Sequence, residues 1–431
     1  MRGDVQVPQY HGVKGTTRLH ILIYGLNYAP ELTGIGKYTG EMSDWLAARG
    51  HKVTVVTAPP YYPAWRIRDE YRGSWYRLEK RQGKPTVYRV PLWVPERPTG
   101  LKRVLHLASF MVGSLPVMGL QPLWQPDVVF TVEPTFFAAP VALALAKTCG
   151  AKSWLHVQDF EIDAAFDLGL LPAKGFIHDV ALGLETLFTR AFDRVSSISQ
   201  KMVERALSKE VEPHRAVLFP NWVDVEAVFP LPGTTEFRRE LGLGQKIVVL
   251  YSGNMGAKQG LESLAPLARA FAGDEHVHFL FCGDGAFRPM LEAEVAGLSN
   301  VTLLPLQPAE RLNELLNTAD IHLLPQRAHA ADLVMPSKLT GMLASGRPVL
   351  ATADPGTQVA QVVEGRGVVV PTGSPAELVD GLRALVADPV LRARLGSEAR
   401  AYAVEHLGRE QVLRRFEQEL VDLVHGRSSV E

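Results

Sequence analysis

His20-Ile-Leu-Ile-Tyr-Gly-Leu26 is an apolar run, Gly34-Ile-Gly36-Lys37 is a glycine turn, and an amphipathic helical pattern follows to Arg49. About half a chain later the same order returns: Lys246 to Tyr251 is apolar, Ser252-Gly253-Asn254-Met255-Gly256 turns, and a helix is expected from about Lys258. The bare backbone at a helix N-terminus carries roughly half a positive charge and favours phosphate. Two such units predict an α/β chain of two parallel-sheet domains facing one central cleft, with a nucleotide-like ligand between them.

The surrounding pattern agrees. Apolar runs at His20–Leu26, Val53–Thr57, Thr86–Val90, Asp127–Val132, Lys152–Val157 and Arg194–Ser199 alternate with helical stretches, as do Lys246–Tyr251, Val277–Cys282, Val301–Leu304, Ile321–Leu324, Pro348–Thr352 and Gly367–Val370. That alternation is the signature of parallel sheets with crossover helices. The expected organisation is a disordered tail over 1–17, one Rossmann-like domain over 18–217, a second over 218–407, and a last helix over 408–426 that crosses back to the first. Val412, Leu413, Phe416, Leu420, Val421 and Val424 give that helix its apolar stripe.

With 431 residues, 46% of them hydrophobic and 21% charged, the chain is long enough for two ordinary cores. No apolar stretch is expected to span a bilayer, and the polar start has no signal-peptide core. Cys149 and Cys282 fall in different expected domains, so inert core thiols in a reducing, cytoplasmic setting fit better than a disulfide. The basic excess is local, between Arg66 and Arg103, where only Asp69, Glu70, Glu79 and Glu96 oppose it. No nucleic-acid reading module accompanies it. An anionic lipid or lipid-phosphate partner and an ordinary solvated loop both remain open.

Gly34-x-Gly36-x-x-x-Gly40 invites a dinucleotide reading, which requires an acidic residue at the end of the second strand. Val53-Thr-Val-Val-Thr57 instead runs into Ala58-Pro-Pro60, which argues against a nicotinamide cofactor. The first turn is then either a place where a ligand approaches the backbone or a structural turn. At the second turn Lys258 would put a cation at a helix start, where an anion would offset it. Gly283-Asp284-Gly285 ends the next strand as a wall for a nucleotide or as a simple turn. Pro336-Ser337-Lys338 is the most specific signal: a proline-started helix presenting free amides and a cation.

Tyr28-Ala-Pro-Glu-Leu-Thr-Gly34-Ile-Gly36-Lys37-Tyr38, Thr57-Ala-Pro-Pro-Tyr-Tyr-Pro63, Gln158-Asp159-Phe-Glu161, Phe219-Pro-Asn221-Trp222-Val-Asp224, Tyr251-Ser-Gly-Asn-Met-Gly256 and Pro336-Ser-Lys338 together resemble a family-four GT-B glycosyltransferase. Over nearly its whole length the chain is similar to the colanic-acid-type transferases of bacterial exopolysaccharide synthesis. The resemblance implies a nucleotide-diphosphate sugar held mainly by the second domain and an acceptor, a glycan or polyprenyl-diphosphate-linked oligosaccharide, held by the first. It implies transfer with retention, with fucose from GDP-fucose as the favoured donor, and no cofactor or metal. Lys258 and Lys338 would neutralise the leaving diphosphate, and Gly36 would approach it from the opposite domain.

Two departures from the family pattern stand out. Gly341 replaces a ribose-clamping Glu, and Gln158-Asp159 replaces a His–Asp pair. His156 lies on the same strand face as Gln158, so it serves either as a polar group at the donor sugar or as a buried structural histidine. Asp159, Glu161 and Asp163 could be mistaken for a metal site; contacts to sugar or acceptor hydroxyls fit them better. Leu101 to Leu120, apolar on nearly all sides, reads as a buried crossover helix or as a membrane-surface helix with peripheral contact to the cytoplasmic face of the inner membrane. A GT-B sugar-nucleotide epimerase and a non-catalytic sugar-nucleotide-binding subunit are the rival functions.

Overall fold

The computed structural model describes residues 18–31, 34–73, 75–96, 100–133, 137–158, 175–256, 259–327 and 336–426. The tail expected over 1–17, together with Asp159, Glu161, Asp163 and Lys258, lies outside the described residues.

The first sheet has strands β1 (His20–Gly25), β2 (Lys52–Thr57), β3 (Arg77–Glu79), β4 (Thr86–Arg89), β5 (Val128–Glu133), β6 (Lys152–Val157), β7 (Arg194–Ser197) and β8 (Ala216–Leu218). Their order is β3-β4-β2-β1-β5-β6-β7-β8, parallel except where β3 lies antiparallel on β4. The second has β9 (Ile247–Asn254), β10 (Val277–Asp284), β11 (Val301–Leu304), β12 (Ile321–Leu324), β13 (Val349–Thr352) and β14 (Gly367–Val370), ordered β11-β10-β9-β12-β13-β14 and all parallel. Each sheet therefore reverses direction beside the strand that opens its domain. In doubly wound sheets the crevice for a ligand lies there, beyond the carboxyl ends of the strands. The near-continuous apolar strands follow from burial on both faces, as helices cover each side.

Five helices matter below: α1 (Gly34–Ala48), α2 (Gly100–Leu120), α3 (Ala138–Cys149), α4 (Ser337–Ala344) and α5 (Arg409–His425). α5 buries Leu413, Phe416 and Leu420 against Phe130 and Trp154 of the first sheet. Glu417 of α5 accepts from Arg49 at 2.9 Å and pairs with the buried His51 at 2.9 Å. Because His51 Nδ1 accepts from the Leu19 amide, its Nε2 carries the proton and donates to Glu417. The outgoing chain at Val223 bridges the returning chain at Gly408, so two crossing segments lie side by side.

Several expectations need correction. The helix expected from about Lys258 begins later, as a 3-10 turn at Leu261–Ser263 running into Leu264–Ala270. The three-residue strands β3 and β8 were not expected from the sequence, being too short to show a period. α2 with the turn after it, Gly100–Trp124, is long and apolar enough to cross a membrane, contrary to the expectation that no stretch is; 39% of its apolar window is buried inside the fold. Arg89 is no part of a basic surface. It is 4% exposed and donates to Ala58 O at 3.0 Å and Ala29 O at 2.5 Å, with Glu79 beside it. Cys149, at the end of α3, is only partly buried, whereas Cys282 is buried and its thiol is pushed up to about 11.

Candidate active site between the two sheets

β9 and β10 run in register to their carboxyl ends, pairing Gly253 with Gly283 and Asn254 with Asp284. The pairing is close enough that a Cβ on Gly283 would stand 2.0 Å from Gly253 O, so side chains are excluded by the backbone itself. Gly253 has φ of +129°, which only glycine adopts without strain. Gly285 follows, pressed against Met255 O and Asn254 Oδ1. The structure thus brings Gly253, Asn254, Gly256, Gly283, Asp284 and Gly285 into one wall at the switch point.

That wall is less bare than its sequence suggests. Met255 N donates to Asp284 O at 2.8 Å, and Gly256 N donates to the side-chain carbonyl of Gln259 at 2.8 Å. Asp284 Oδ1 accepts from Gly285 N. Gln259, which sequence reasoning passed over, places an acceptor oxygen where an anion would be expected.

Facing the wall is the start of α4. Pro336 is its cap residue, no side chain caps it and no acidic residue lies in its first turn. The amides of Ser337 and Lys338 bond to no described residue. The Lys338 ammonium donates to Tyr251 Oη at 3.0 Å and sits 4.3 Å from that ring's centroid. It also lies 3.8 Å from where a Cβ on Gly253 would be. Tyr251 in turn donates to Asn254 O at 2.6 Å, so the tyrosine ties the cation to the glycine turn. No described carboxylate pairs with Lys338, and burial brings its pKa down to about 8. A half-buried cation, two amides that bond to no described residue and a helix dipole converge here.

The first-domain turn is arranged differently. Gly36 is buried, and a Cβ on it would stand 2.6 Å from Glu31 Oε2. Glu31 is 3% exposed and accepts from Asn27 at 3.0 Å and from the amides of Tyr61 and Tyr62 at 3.2 and 3.1 Å. The close approach at Gly36 is therefore filled by the chain's own carboxylate, and the ligand approach expected there has no room beside it. Gly34, with φ of +60°, is exposed with open space around it. Lys37, expected to hold phosphate, points its ammonium along its own helix to Glu41 at 3.9 Å.

One residue along from Lys37 the domains touch. Tyr38 of α1, 3% exposed, lies beside Thr340 of α4. Thr340 Oγ1 donates to Ser337 O at 2.9 Å. The first turns of α1 and α4 thus meet across the cleft through hydroxyl groups that no sequence pattern singled out.

His156 is 3% exposed on β6, wedged between Phe130 and Phe219. Its Nδ1 bonds Ser196 Oγ at 2.9 Å and its Nε2 accepts from the Gln158 amide at 3.1 Å. Burial drives its pKa down to about 3. A neutral imidazole with both nitrogens engaged has nothing left to offer a substrate, so the structural alternative fits and the polar role at the donor does not. Among the described residues no cluster of three His, Cys, Asp or Glu could hold a metal.

Two facing doubly wound sheets with a cationic crevice between them define the GT-B class. The Glycosyl transferase 4-like domain family matches residues 33–222, and the Glycosyl transferases group 1 family matches residues 233–402. The chain is 43% identical over 411 residues to the colanic acid biosynthesis glycosyl transferase WcaI of Escherichia coli (strain K12), covering 92% of this chain and 98% of that protein. Its fold is similar to sucrose-phosphate synthase from Thermosynechococcus elongatus, with TM-score 0.73 at 18% identity over 95% of this chain and all of that one. It is also similar to HepE of Anabaena solved in complex with UDP, with TM-score 0.67 at 15% identity over 94% and 100%. The chain belongs to the GT-B glycosyltransferases that pair a 4-like with a group 1 domain, and it is a glycosyltransferase.

Proposed function

We propose that this enzyme transfers a hexose or deoxyhexose from a nucleotide-diphosphate sugar to a lipid-linked oligosaccharide during assembly of a colanic-acid-like exopolysaccharide. The observation that carries the donor class is Lys338: an ammonium that no described carboxylate pairs, beside Gly253 and the amides that start α4, is complementary to a diphosphate. A charge-assisted hydrogen bond there contributes about 1.5 to 3 kcal/mol. Lys258 is proposed as the second cation and Asp159 as a contact to sugar or acceptor hydroxyls. HepE was solved with UDP, which supports a nucleoside diphosphate as the shared leaving group. The likeness to WcaI supports the exopolysaccharide setting; an acceptor presented from the cytoplasmic side of the membrane is part of the proposal.

In this reading the diphosphate gathers negative charge as the glycosidic bond breaks. Lys338 and the α4 amides stabilise it where it forms, the term such a reaction most requires. Retention follows if a leaving-phosphate oxygen takes the acceptor proton, which needs no protein nucleophile. Fucose from GDP-fucose is the proposed donor.

A thermal-shift panel of GDP, UDP, ADP and dTDP tests the donor. GDP is expected to raise the melting temperature most; a larger rise with another nucleotide assigns a different base. Incubation with donor alone is expected to leave it unchanged, and an isomerised sugar would make the protein an epimerase instead.

A further inference from the structure

Helix α2 is apolar on both faces. Its inward face buries Leu107, Phe110, Val117 and Met118 together with the polar His106 and Ser114, and Gln121, one residue past its end, is buried too. Each of these polar side chains bonds within the fold: His106 Nδ1 with Trp93 O at 2.6 Å, Ser114 Oγ with Tyr24 Oη at 2.6 Å, and Gln121 Nε2 to Val117 O at 3.1 Å. The outward face carries Leu101, Leu105, Val112 and Leu115, exposed by 72, 51, 59 and 46%. Their spacing places them on one stripe of a helix about 30 Å long. No charged residue occurs from Val104 through Trp124.

The flanks of the stripe are aromatic and basic. Tyr76 donates to Gly113 O at 3.1 Å, which holds Trp75, 80% exposed, beside the middle of α2. Trp93 N donates to Ser109 Oγ on the same helix at 3.0 Å, and its ring is also exposed. The ring of Trp65 lies 5.3 Å from the inward-facing His106 and places the Arg66–Arg72 loop near α2, with Asp69 pairing Arg66 at 3.3 Å and Arg72 at 3.0 Å, while Lys102 sits in the first turn of α2. Apolar ridge, interfacial tryptophans and surrounding cations are the three features that hold a helix in the headgroup region of a bilayer.

We propose that this face docks on an anionic lipid leaflet, with the Leu101–Leu115 stripe sunk into the boundary between headgroups and acyl chains. The inward face of α2 packs on the sheet, so the helix lies in the surface and does not span it. A symmetric pairing with a second copy would press the same basic residues together, whereas phosphate-bearing lipid neutralises them. The docking is separate from the diphosphate site. It deepens the lipid-linked part of the reading above, because a protein held this way meets its acceptor in the plane of the membrane.

The test is co-sedimentation of the full chain with phosphatidylglycerol/phosphatidylethanolamine vesicles, with phosphatidylcholine vesicles as control. Binding to the anionic vesicles is expected, with a blue shift of tryptophan emission. Leu105→Glu/Val112→Glu, placed on exposed positions, is expected to weaken it at least tenfold while keeping the wild-type circular dichroism and melting temperature. Lys102→Gln weakens it severalfold and only at low salt. Lys338→Ala binds vesicles as the wild type does, so failure of the diphosphate site and failure of docking are read apart. No binding to anionic vesicles at low salt overturns the proposal, as does equal binding by the Glu variant. Self-association in solution that the Glu variant abolishes, without vesicle binding, assigns the face to a second copy and overturns it too.

Discussion

The turn after β1 and the turn-and-helix pair around β9 look alike in sequence, each a glycine run at a helix start, yet they are electrostatic opposites. At Gly36 the molecule supplies its own anion, Glu31, already bonded to one side chain and two amides. At Gly253 it supplies a cation, Lys338, and among the described residues the facing helix start has no carboxylate. A glycine therefore reports only that something approaches the backbone. Whether that something is a ligand depends on which charges the rest of the fold brings in.

The widest effect that this contrast predicts is at Lys338. Lys338→Ala is expected to lower turnover roughly ten- to a thousandfold, matching about 1.4 to 4 kcal/mol of lost charge stabilisation. Steady-state kinetics with the identified donor measure it, and full activity would erase the distinction between the two turns.

Gly36→Ala probes the other side. Its Cβ would meet Glu31 Oε2 at 2.6 Å and Glu31 Cβ at 2.7 Å, so strain of about 1 to 3 kcal/mol is expected, seen as a melting temperature several degrees lower. If the glycine served a ligand, the same variant would keep its stability and lose donor binding; that result would make the two turns equivalent.

Much of this was legible in the residues. The parallel alternation and the returning helix with Phe416 on its stripe rest on local periods and turns, whereas the Gly253 turn and Lys338 are linked in the sequence only through the family resemblance. What escaped were pairings set by register and by the meeting of domains. Glu31 lay inside a quoted motif, but nothing in its neighbours says that it turns inward onto Gly36. Tyr38 and Thr340 are 302 positions apart by their numbers and meet only because α1 and α4 start at the same cleft. His156 shows the converse: strand parity put it beside Gln158, but only the packing of Phe130 and Phe219 shows that the pair faces the core.

The lowered pKa of Lys338 gives the cationic turn a pH signature on the alkaline side, whereas burial raises the pKa of Glu31 and puts any signature of its turn on the acid side. In the empty protein the ammonium loses its proton as pH rises through about 8, below its ordinary value of 10.5. An anion binds the protonated form and restores its pKa. Nucleoside diphosphate affinity is then flat below pH 8 and falls by up to about tenfold per unit above it, until the bound ammonium itself titrates. Isothermal titration between pH 7 and about 9.5 follows this; proton uptake on binding near pH 8 is the accompanying sign. An affinity unchanged across that window would mean that Lys338 does not contact the ligand.

Tyr38→Phe carries the smallest expected change, because it removes one hydroxyl where the two turns meet and leaves their charges alone. Thr340 keeps its bond to Ser337 O, so the start of α4 stays folded and only the polar contact with α1 is lost. A single neutral polar contact is worth at most about 0.5 to 1.5 kcal/mol, which corresponds to roughly two- to tenfold. The contact lies at the cleft, so the loss is expected in KM for the donor, with kcat nearly unchanged. A fall in kcat at constant KM would instead place the Tyr38 hydroxyl at the reacting atoms, and the anion-filled turn would then belong to the chemistry after all.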